Sequence, residues 1–304
     1  MNLDLVVSAY GLSPHLGSCL RSLFEQDAVR DGLATITIAT STPSKELEAA
    51  ARCYGARYMV NPVRRCIGAD WNFALSTAQA PLVAICHQDD TYHPEFASRM
   101  LETFSLAPSL LMASSSYRKL DGEGREQRSA VLQVKRLLMW RAFGPQALRW
   151  GPTIRRRMLS WGNPVCCSSV VLNRQELDDF CFDVEMQSNL DWDAWERIAA
   201  RPGLIAYLPE ALVSHRVHGG SATSRLIANS ARPVEDLLML SRFWPTAFAR
   251  AWLTVYSQAY RSHRGAARRE ADLRRLKGAP TPTGAPATGE TASVLQLHSA
   301  GKAD

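Results

Sequence analysis

Leu82-Val83-Ala84-Ile85-Cys86-His87-Gln88-Asp89-Asp90 runs from five apolar, β-compatible residues straight into two adjacent carboxylates. Such a run predicts a buried strand of a parallel sheet, and open α/β sheets bind ligands beyond the carboxyl ends of their strands. Neighbouring like charges at a partly desolvated strand end raise each other's pKa, and a hard divalent cation shared with ligand phosphate oxygens relieves them. The competing reading is a turn, with Thr91 capping a helix that begins near Pro94.

Outward from this strand, the first half alternates strand and helix. Leu3 to Ala9 predicts a strand, and Ser13-Pro14 a helix start whose Leu16, Leu20, Leu23 and Phe24 share one face. Ile36 to Ala39 is a second strand. Thr42-Pro43 opens a helix carrying Glu46 and Glu48 early, with Leu47, Ala51 and Tyr54 on one face and Gly55 at its end. Arg57 to Val60 is a third strand. A helix from about Gly68 to Ala80 is expected to bury Trp71, Ala74, Leu75 and Ala78 before Pro81 stops it. The order βαβαβαβ implies an α/β fold, a mostly parallel sheet flanked by helices.

Composition agrees with a globular chain: 304 residues, 46% hydrophobic and 21% charged. No basic, apolar leader precedes Leu5, and the best candidate span, Ala247 to Tyr260, is broken by Arg250, Ser257 and Gln258, so it reads as an amphipathic helix. The seven cysteines are odd in number and lack Cys-x-x-Cys spacing. Cys19, Cys53 and Cys86 therefore read as reduced core residues of a cytoplasmic protein, and the vicinal pair Cys166-Cys167 is a poor zinc ligand set. The first strand leads into Ser8-Ala9-Tyr10-Gly11-Leu12-Ser13, which has no G-x-G-x-x-G, so a nicotinamide-dinucleotide enzyme is disfavoured. Tyr10 either stacks on a nucleotide base there or simply packs.

The set Val6-Val7-Ser8-Ala9-Tyr10, Gly68-Ala69-Asp70-Trp71-Asn72-Phe73-Ala74-Leu75, His87-Gln88-Asp89-Asp90 with Pro94, Asp191-Trp192-Asp193, and His215-Arg216-Val217-His218-Gly219-Gly220-Ser221 resembles the family 2 glycosyltransferases of the GT-A fold, over about residues 3 to 225. The resemblance implies transfer of a sugar from a nucleotide-sugar donor to a sugar or lipid-linked sugar acceptor, with inversion at the anomeric carbon and assistance from Mg²⁺ or Mn²⁺. It implies donor contacts at Ser8, Ala9, Tyr10, Thr40, Asp70, Asn72, Gln88 and Asp89. It places the metal on Asp89, Asp90 and His218, although His218 also reads as a plain loop residue. Where the family opens its D-x-D region with Asp, this chain has His87. Where the family has an Asp pair after the second strand, this chain has Ile38-Ala39-Thr40-Ser41-Thr42-Pro43, which leaves uridine, thymidine and guanosine donors all open.

The chemistry calls for those residue types. A departing nucleoside diphosphate needs its developing charge neutralised, and the attacking hydroxyl needs a carboxylate on the opposite side of the sugar. The resemblance gives that base role to Asp191, with Asp193 in reserve. In a helix whose Trp192, Trp195 and Ile198 face the core, Asp191 also reads as the N-cap. Leu190 stands where the family carries Glu. His215 reads as structural, and Arg64-Arg65 either binds phosphate or is solvated charge.

The second half segregates charge. Asp121-Gly122-Glu123-Gly124 predicts a turn between strands. Gln133 to Trp161 holds Lys135, Arg136, Arg141, Arg149, Arg155, Arg156 and Arg157 with no acid, and Arg242 to Lys277 adds nine basic residues against Glu270 and Asp272. The net charge is only +6, so the remainder is acidic. Basic residues interleaved with Leu137, Leu138, Trp140, Phe143 and Trp150 suit an anionic lipid surface or a lipid-phosphate acceptor, against a merely solvated face. Nucleic acid is disfavoured because no recognition motif accompanies the charge.

The expected organisation is a glycosyltransferase domain over 1–225, with a nucleotide-sugar half to about 120 and an acceptor half from 121. Basic amphipathic helices over 226–276 and a disordered tail over 277–304 follow. Cell-surface polysaccharide or glycolipid synthesis, in the cytoplasm or on the inner face of its membrane, fits that plan. The alternatives are a noncatalytic binding protein of the same fold and a nucleotidyltransferase. The latter normally carries a Gly-rich basic loop after its first strand, which this chain lacks.

Overall fold

The computed structural model describes residues 1–63, 65–218 and 231–257. Arg64, the Gly219-Gly220-Ser221 turn, residues 258–276 of the basic stretch and the 277–304 tail lie outside the described residues. The first strands are β1 (Leu3–Ala9), β2 (Ala34–Thr40), β3 (Arg57–Val60) and β4 (Leu82–His87), separated by α1 (Leu16–Phe24), α2 (Asp27–Arg30), α3 (Lys45–Cys53) and α4 (Ile67–Thr77). Then come β5 (Thr91–Tyr92), α5 (Phe96–Leu106), β6 (Leu110–Leu120), α6 (Ala130–Phe143), β7 (Leu148–Trp150), α7 (Gly151–Leu159), β8 (Val170–Asn173), α8 (Leu190–Ala200) and β9 (Leu204–Arg216). Helices α9 (Ala231–Ser241) and α10 (Thr246–Tyr256) follow.

The sheet order is β3-β2-β1-β4-β8-β6-β9-β5, with β7 pairing β9. Strands β3, β2, β1 and β4 are parallel to their neighbours, and antiparallel β8 then makes the second half mixed. The chain leaves β1 toward β2 and β3 and returns on the other side of β1 as β4. This reversal opens a crevice at the carboxyl ends of β1 and β4, the place where such sheets bind ligands. Ser8 is in register with both Ala39 and His87, and Ala9 with Thr40, so the three strand ends form one edge.

Strand periodicity divides the core into two layers. Val6 faces the layer built with α4, α6, α7 and α8, whereas Leu5 and Val7 face the layer built with α1, α3 and α5. Trp192, Trp195 and Ile198 are fully buried, as the helical spacing of that segment requires. Cys53 departs from expectation. It is exposed at the end of α3, because the apolar stripe of that helix passes through Leu47 and Ala51 instead.

Several local expectations give way to longer-range partners. Ser44, not Thr42, caps α3 by accepting from the Leu47 amide at 3.2 Å. Thr42 instead accepts from the Gly11 amide at 2.7 Å, tying the loops after β1 and β2 together. Helix α4 ends at Thr77, short of Ala80. The buried Asp4 carboxylate takes the Gln79 and Ala80 amides, the latter at 3.1 Å, and pairs with Arg57 at 3.3 Å. Thr91 caps no helix, because Thr91 and Tyr92 pair with Ser214 and Val213 of β9. Gly68 is required by close approach. A Cβ there would lie 2.8 Å from the Asp183 carbonyl and 2.9 Å from the Leu190 side chain, so glycine lets the start of α4 dock against the entry of α8.

The described C-terminal helices pack onto the second half of the domain. Trp244 donates its indole N–H to the Ser160 carbonyl at 2.7 Å, and Trp252 to the Trp161 carbonyl at 3.2 Å. Among the described residues, no helix is long and apolar enough to cross a membrane.

Candidate active site

The β4 strand end delivers Asp89 and Asp90 into different surroundings. Asp89 faces the crevice. Its carboxylate accepts from the Ser13 hydroxyl in the loop after β1, and its other oxygen lies 3.1 Å from His218 Nε2, beyond β9. Burial raises the Asp89 pKa, but the bonds from His218 and Ser13 outweigh it and hold the carboxyl below its ordinary range. The His15 ring meets His218 edge-on at 5.2 Å. Ser13 is thus a site residue rather than the cap of α1, whose N-cap is His15 without a side-chain bond.

Asp90 turns inward. It is 1% exposed and accepts from the Arg216 amide at 2.9 Å, and both its oxygens lie 3.1 Å from His215 Nδ1. His87 Nδ1 is 3.8 Å away. Burial opposes ionisation, yet the His215 charge and hydrogen bond, aided by His87 and Ser168, bring the Asp90 pKa down to about 2. Burial likewise works against the charge on His215, but Asp90 raises its pKa above the ordinary value. Burial pushes His87 the other way, down. Asp90, expected as a metal ligand, is here paired with His215 and the Arg216 amide inside the fold. Arg216, which motif reading left without a role, also donates Nε to the Asp89 carbonyl at 3.1 Å and Nη1 to the Asp121 carbonyl at 3.2 Å. It clamps the aspartate turn to the predicted turn after β6, where Gly124 has φ +85°.

The residues expected at the sugar nucleotide divide similarly. Tyr10 is exposed at the β1 end, and its carbonyl accepts from Gln88 Nε2 at 3.1 Å. Asp70 accepts from Ser41 Oγ at 3.0 Å and Asn61 Nδ2 at 3.2 Å, a polar bracket under the loop after β2. Thr40 is buried, its hydroxyl accepting from the Thr42 amide at 3.0 Å, so it shapes that loop from beneath. Asn72 is corrected to a brace. Its side-chain amide donates to the Phe182 carbonyl at 2.9 Å and accepts from the Phe182 amide at 2.7 Å, which ties α4 to the segment before α8. Trp71 is only half buried and stacks on His87 at 5.5 Å with 24° between the planes, so it belongs to the site wall as much as to the core.

Asp191 lies in the first turn of α8, whose N-cap is Asn189. One oxygen accepts from Asn163 Nδ2 and the other from the Trp192 amide, each at 2.8 Å. Burial raises its pKa, against the pull of Arg232, Lys135 and His87. The start of α8 is held from α9. Glu235 accepts from the Gln187, Ser188 and Asn189 amides at 2.7, 2.9 and 2.8 Å, placing an anion at a helix N-terminus. Asp193 is corrected out of the catalytic set. It is buried, with one oxygen 2.7 Å from Arg197 and the other 2.7 Å from Arg242.

Much of the basic charge expected on a free surface is committed in the same way. Glu196 pairs with Arg155 and Arg242, Arg149 donates twice to the Phe143 carbonyl, and Arg156 donates to the Phe243 carbonyl while covering the Trp244 ring at 4.4 Å.

Comparisons with known proteins agree with this architecture. The mannosyltransferase PcManGT from Pyrobaculum calidifontis, in complex with GDP-Man and Mn²⁺, superposes with a TM-score of 0.59 at 15% identity, covering 92% of this chain and 76% of that one. S. aureus TarS 1-349 gives 0.55 at 14%, covering 87% and 73%. Only 43% of a longer TarS chain is covered. Glucosyl-3-phosphoglycerate synthase from Mycobacterium tuberculosis, in complex with phosphoglyceric acid, gives 0.51 at 20%, covering 79% of each chain. At such identities the likeness establishes the GT-A fold. Among curated proteins none matches. The model of the family described as Glycosyl transferase family 2 matches residues 4–182, more than half of the chain, and the protein belongs to that family.

Proposed function

We propose that the protein transfers a sugar, with inversion, from a nucleoside-diphosphate sugar lying across the ends of β1, β2 and β4 to an acceptor hydroxyl activated by Asp191. What supports this reading is the Asp89–His218 pair at the carboxyl ends of β1 and β4, together with a partly buried Asp191 whose charge is felt by His87 of the same strand end. Asp191 takes the hydroxyl proton as the acceptor oxygen attacks the anomeric carbon and the diphosphate departs.

Asp89 and His218 fit a divalent ion. Two neighbouring ligands of an octahedral ion at about 2.1 Å stand about 3.0 Å apart, and Asp89 Oδ2 and His218 Nε2 are 3.1 Å apart. No group of three or more such ligands occurs among the described residues, so diphosphate oxygens and water would complete the shell. When bound, Mg²⁺ or Mn²⁺ would neutralise charge on the leaving diphosphate. Ser13 orients Asp89 for that task. Thermal-shift and calorimetric titrations with UDP and GDP test it. One nucleotide should bind more tightly with Mn²⁺, and Asp89→Asn or His218→Ala should weaken that binding by at least about 10-fold without lowering Tm. Mn²⁺-independent binding, unchanged in both variants, would remove the metal from the reading.

A membrane contact is supported by one surface. On α6, Val134, Leu137 and Trp140 are 56%, 59% and 65% exposed, and the exposed Arg141 follows them. An apolar strip with a basic flank suits an anionic bilayer. Flotation with anionic vesicles at low salt should carry the protein up, and Trp140→Ala should reduce the floated fraction. Equal flotation with neutral vesicles would sink this reading.

A further inference from the structure

Helices α9 and α10 lie beyond residue 182, where the family match ends, yet they hold the surroundings of Asp191. On the α9 side, Glu235 takes the Gln187, Ser188 and Asn189 amides and also the Ser188 hydroxyl, the last at 2.8 Å. The next residue, Asp236, is buried and accepts from the side chain of Asn189, the N-cap of α8, at 2.8 Å. Arg242, just past the end of α9, donates to Asp193 at 2.7 Å and to Glu196 at 3.1 Å. Helix α9 is thereby fastened along the start of α8.

On the α10 side, Tyr256 packs against both segments that bond the Asp191 carboxylate. Its ring lies 5.9 Å from that of Trp192, whose amide donates to one carboxylate oxygen. It also abuts Gly162, where a Cβ would stand 2.5 Å from Tyr256 Cε2. Asn163, the next residue, donates to the other carboxylate oxygen, and its backbone is hydrogen-bonded to the Tyr256 hydroxyl. Arg232 of α9 bonds the same hydroxyl. Against the burial of Asp191, Arg232 exerts the largest attraction on its carboxylate, ahead of Lys135 of α6 and His87 of β4. Tyr117, Cys166, Cys167 and Asp236 also interact with that charge.

We infer that α9 and α10 are part of the catalytic centre: Glu235 positions the start of α8, while Tyr256 and Arg232 position the Asn163 loop and present a cation to Asp191. The inference rests on the transfer reading above, since it concerns the base of that reaction. All three act through Asp191 and are positioning residues. A misplacement of a reacting group by about 1 Å can cost about 100-fold in rate, so holding α8 and the Asn163 loop from α9 and α10 bears directly on turnover. Removing the Arg232 cation would let burial disfavour the charged carboxylate further.

The test uses the full chain with Mn²⁺ and the nucleotide sugars UDP-Glc, UDP-GlcNAc and GDP-Man, and follows release of the nucleotide. Glu235→Ala and Arg232→Gln are each expected to lower turnover at least about 10-fold, with affinity for the released nucleotide unchanged. Glu235→Gln, which keeps one oxygen for the Ser188 and Asn189 donors, should recover most of that loss. Tyr256→Phe keeps the ring and removes only the hydroxyl, so it remains informative where Glu235→Ala does not fold, and it should also lower turnover. Arg232→Gln should in addition move the acid limb of the rate profile to higher pH. In the Asp191→Asn background none of these changes should reduce the residual turnover further. Unchanged turnover per folded molecule with an unmoved acid limb, or an equal further loss in the Asp191→Asn background, would overturn the inference and leave the helices a structural role. An Asp191→Asn protein as active as the parent would instead remove Asp191 as base and with it the transfer reading. Where none of the three nucleotide sugars is consumed, urea unfolding of Arg232→Gln, Asp191→Asn and the double variant decides. Non-additive changes in midpoint support the inference, and additive ones overturn it.

Discussion

Asp191→Asn is expected to reduce turnover by roughly 10²- to 10⁴-fold while nucleotide affinity stays unchanged. The one amide oxygen keeps the bond from the Trp192 amide, the NH2 that replaces the other oxygen meets the Asn163 donor, and the group cannot take a proton. Burial raises the Asp191 pKa, so the charged carboxylate costs stability at neutral pH. The removal of that charge offsets the loss of the Asn163 bond, so Asp191→Asn should change Tm little. An Asp191 that served only as a helix anchor would show the reverse, with Tm falling and turnover per folded molecule preserved. The same shift sets the acid limb of the pH–rate profile. Activity should fall as pH drops through a pKa above the ordinary aspartate value, and that limb should vanish in Asp191→Asn. Activity of Asp191→Asn within a few-fold of the parent would remove it as base.

Asp90→Ala is expected to destabilise the protein by about 3–5 kcal/mol, the cost of removing one partner from a buried ion pair. His215 would lose the partner that sustains its charge against burial, and the Arg216 amide would lose its acceptor. Stability against pH should show both partners. Asp90 has its pKa depressed to about 2, so its contribution is complete above the ordinary aspartate range and is lost as pH falls toward 2. His215 has its pKa raised, so its contribution is complete below the ordinary histidine value and is lost as pH rises through the raised one. Urea unfolding of the parent and of Asp90→Ala across pH measures both limbs. An Asp90→Ala protein of normal stability that had lost its Mn²⁺-dependent nucleotide binding would return Asp90 to the ligand set.

Local periodicity made much of this protein legible. The apolar runs Leu3–Ala9 and Leu82–Cys86 mark strands buried on both faces, and the 3.6-residue spacing of Trp192, Trp195 and Ile198 reports which face of α8 meets the core. The motif order pointed to the family for the same reason, since each strand end or helix start carries its own functional residues. Asp89 and Asp90 show where that reasoning stops. They are neighbours with identical side chains, and only the return of β9, 125 residues later, makes one a buried ion-pair partner and leaves the other facing the crevice. Ser13 looked like a cap because its true partner is 76 residues away. Arg155 and Arg242 looked like surface charge because Asp193 and Glu196 lie far from them in sequence. Glu235 had no motif at all, yet it holds the helix that carries Asp191. Neighbours a few residues apart encode the elements of the first half and the apolar side of each helix. Which charges pair is set by folding, because a polar group's state depends on partners that the chain brings together from far along its length.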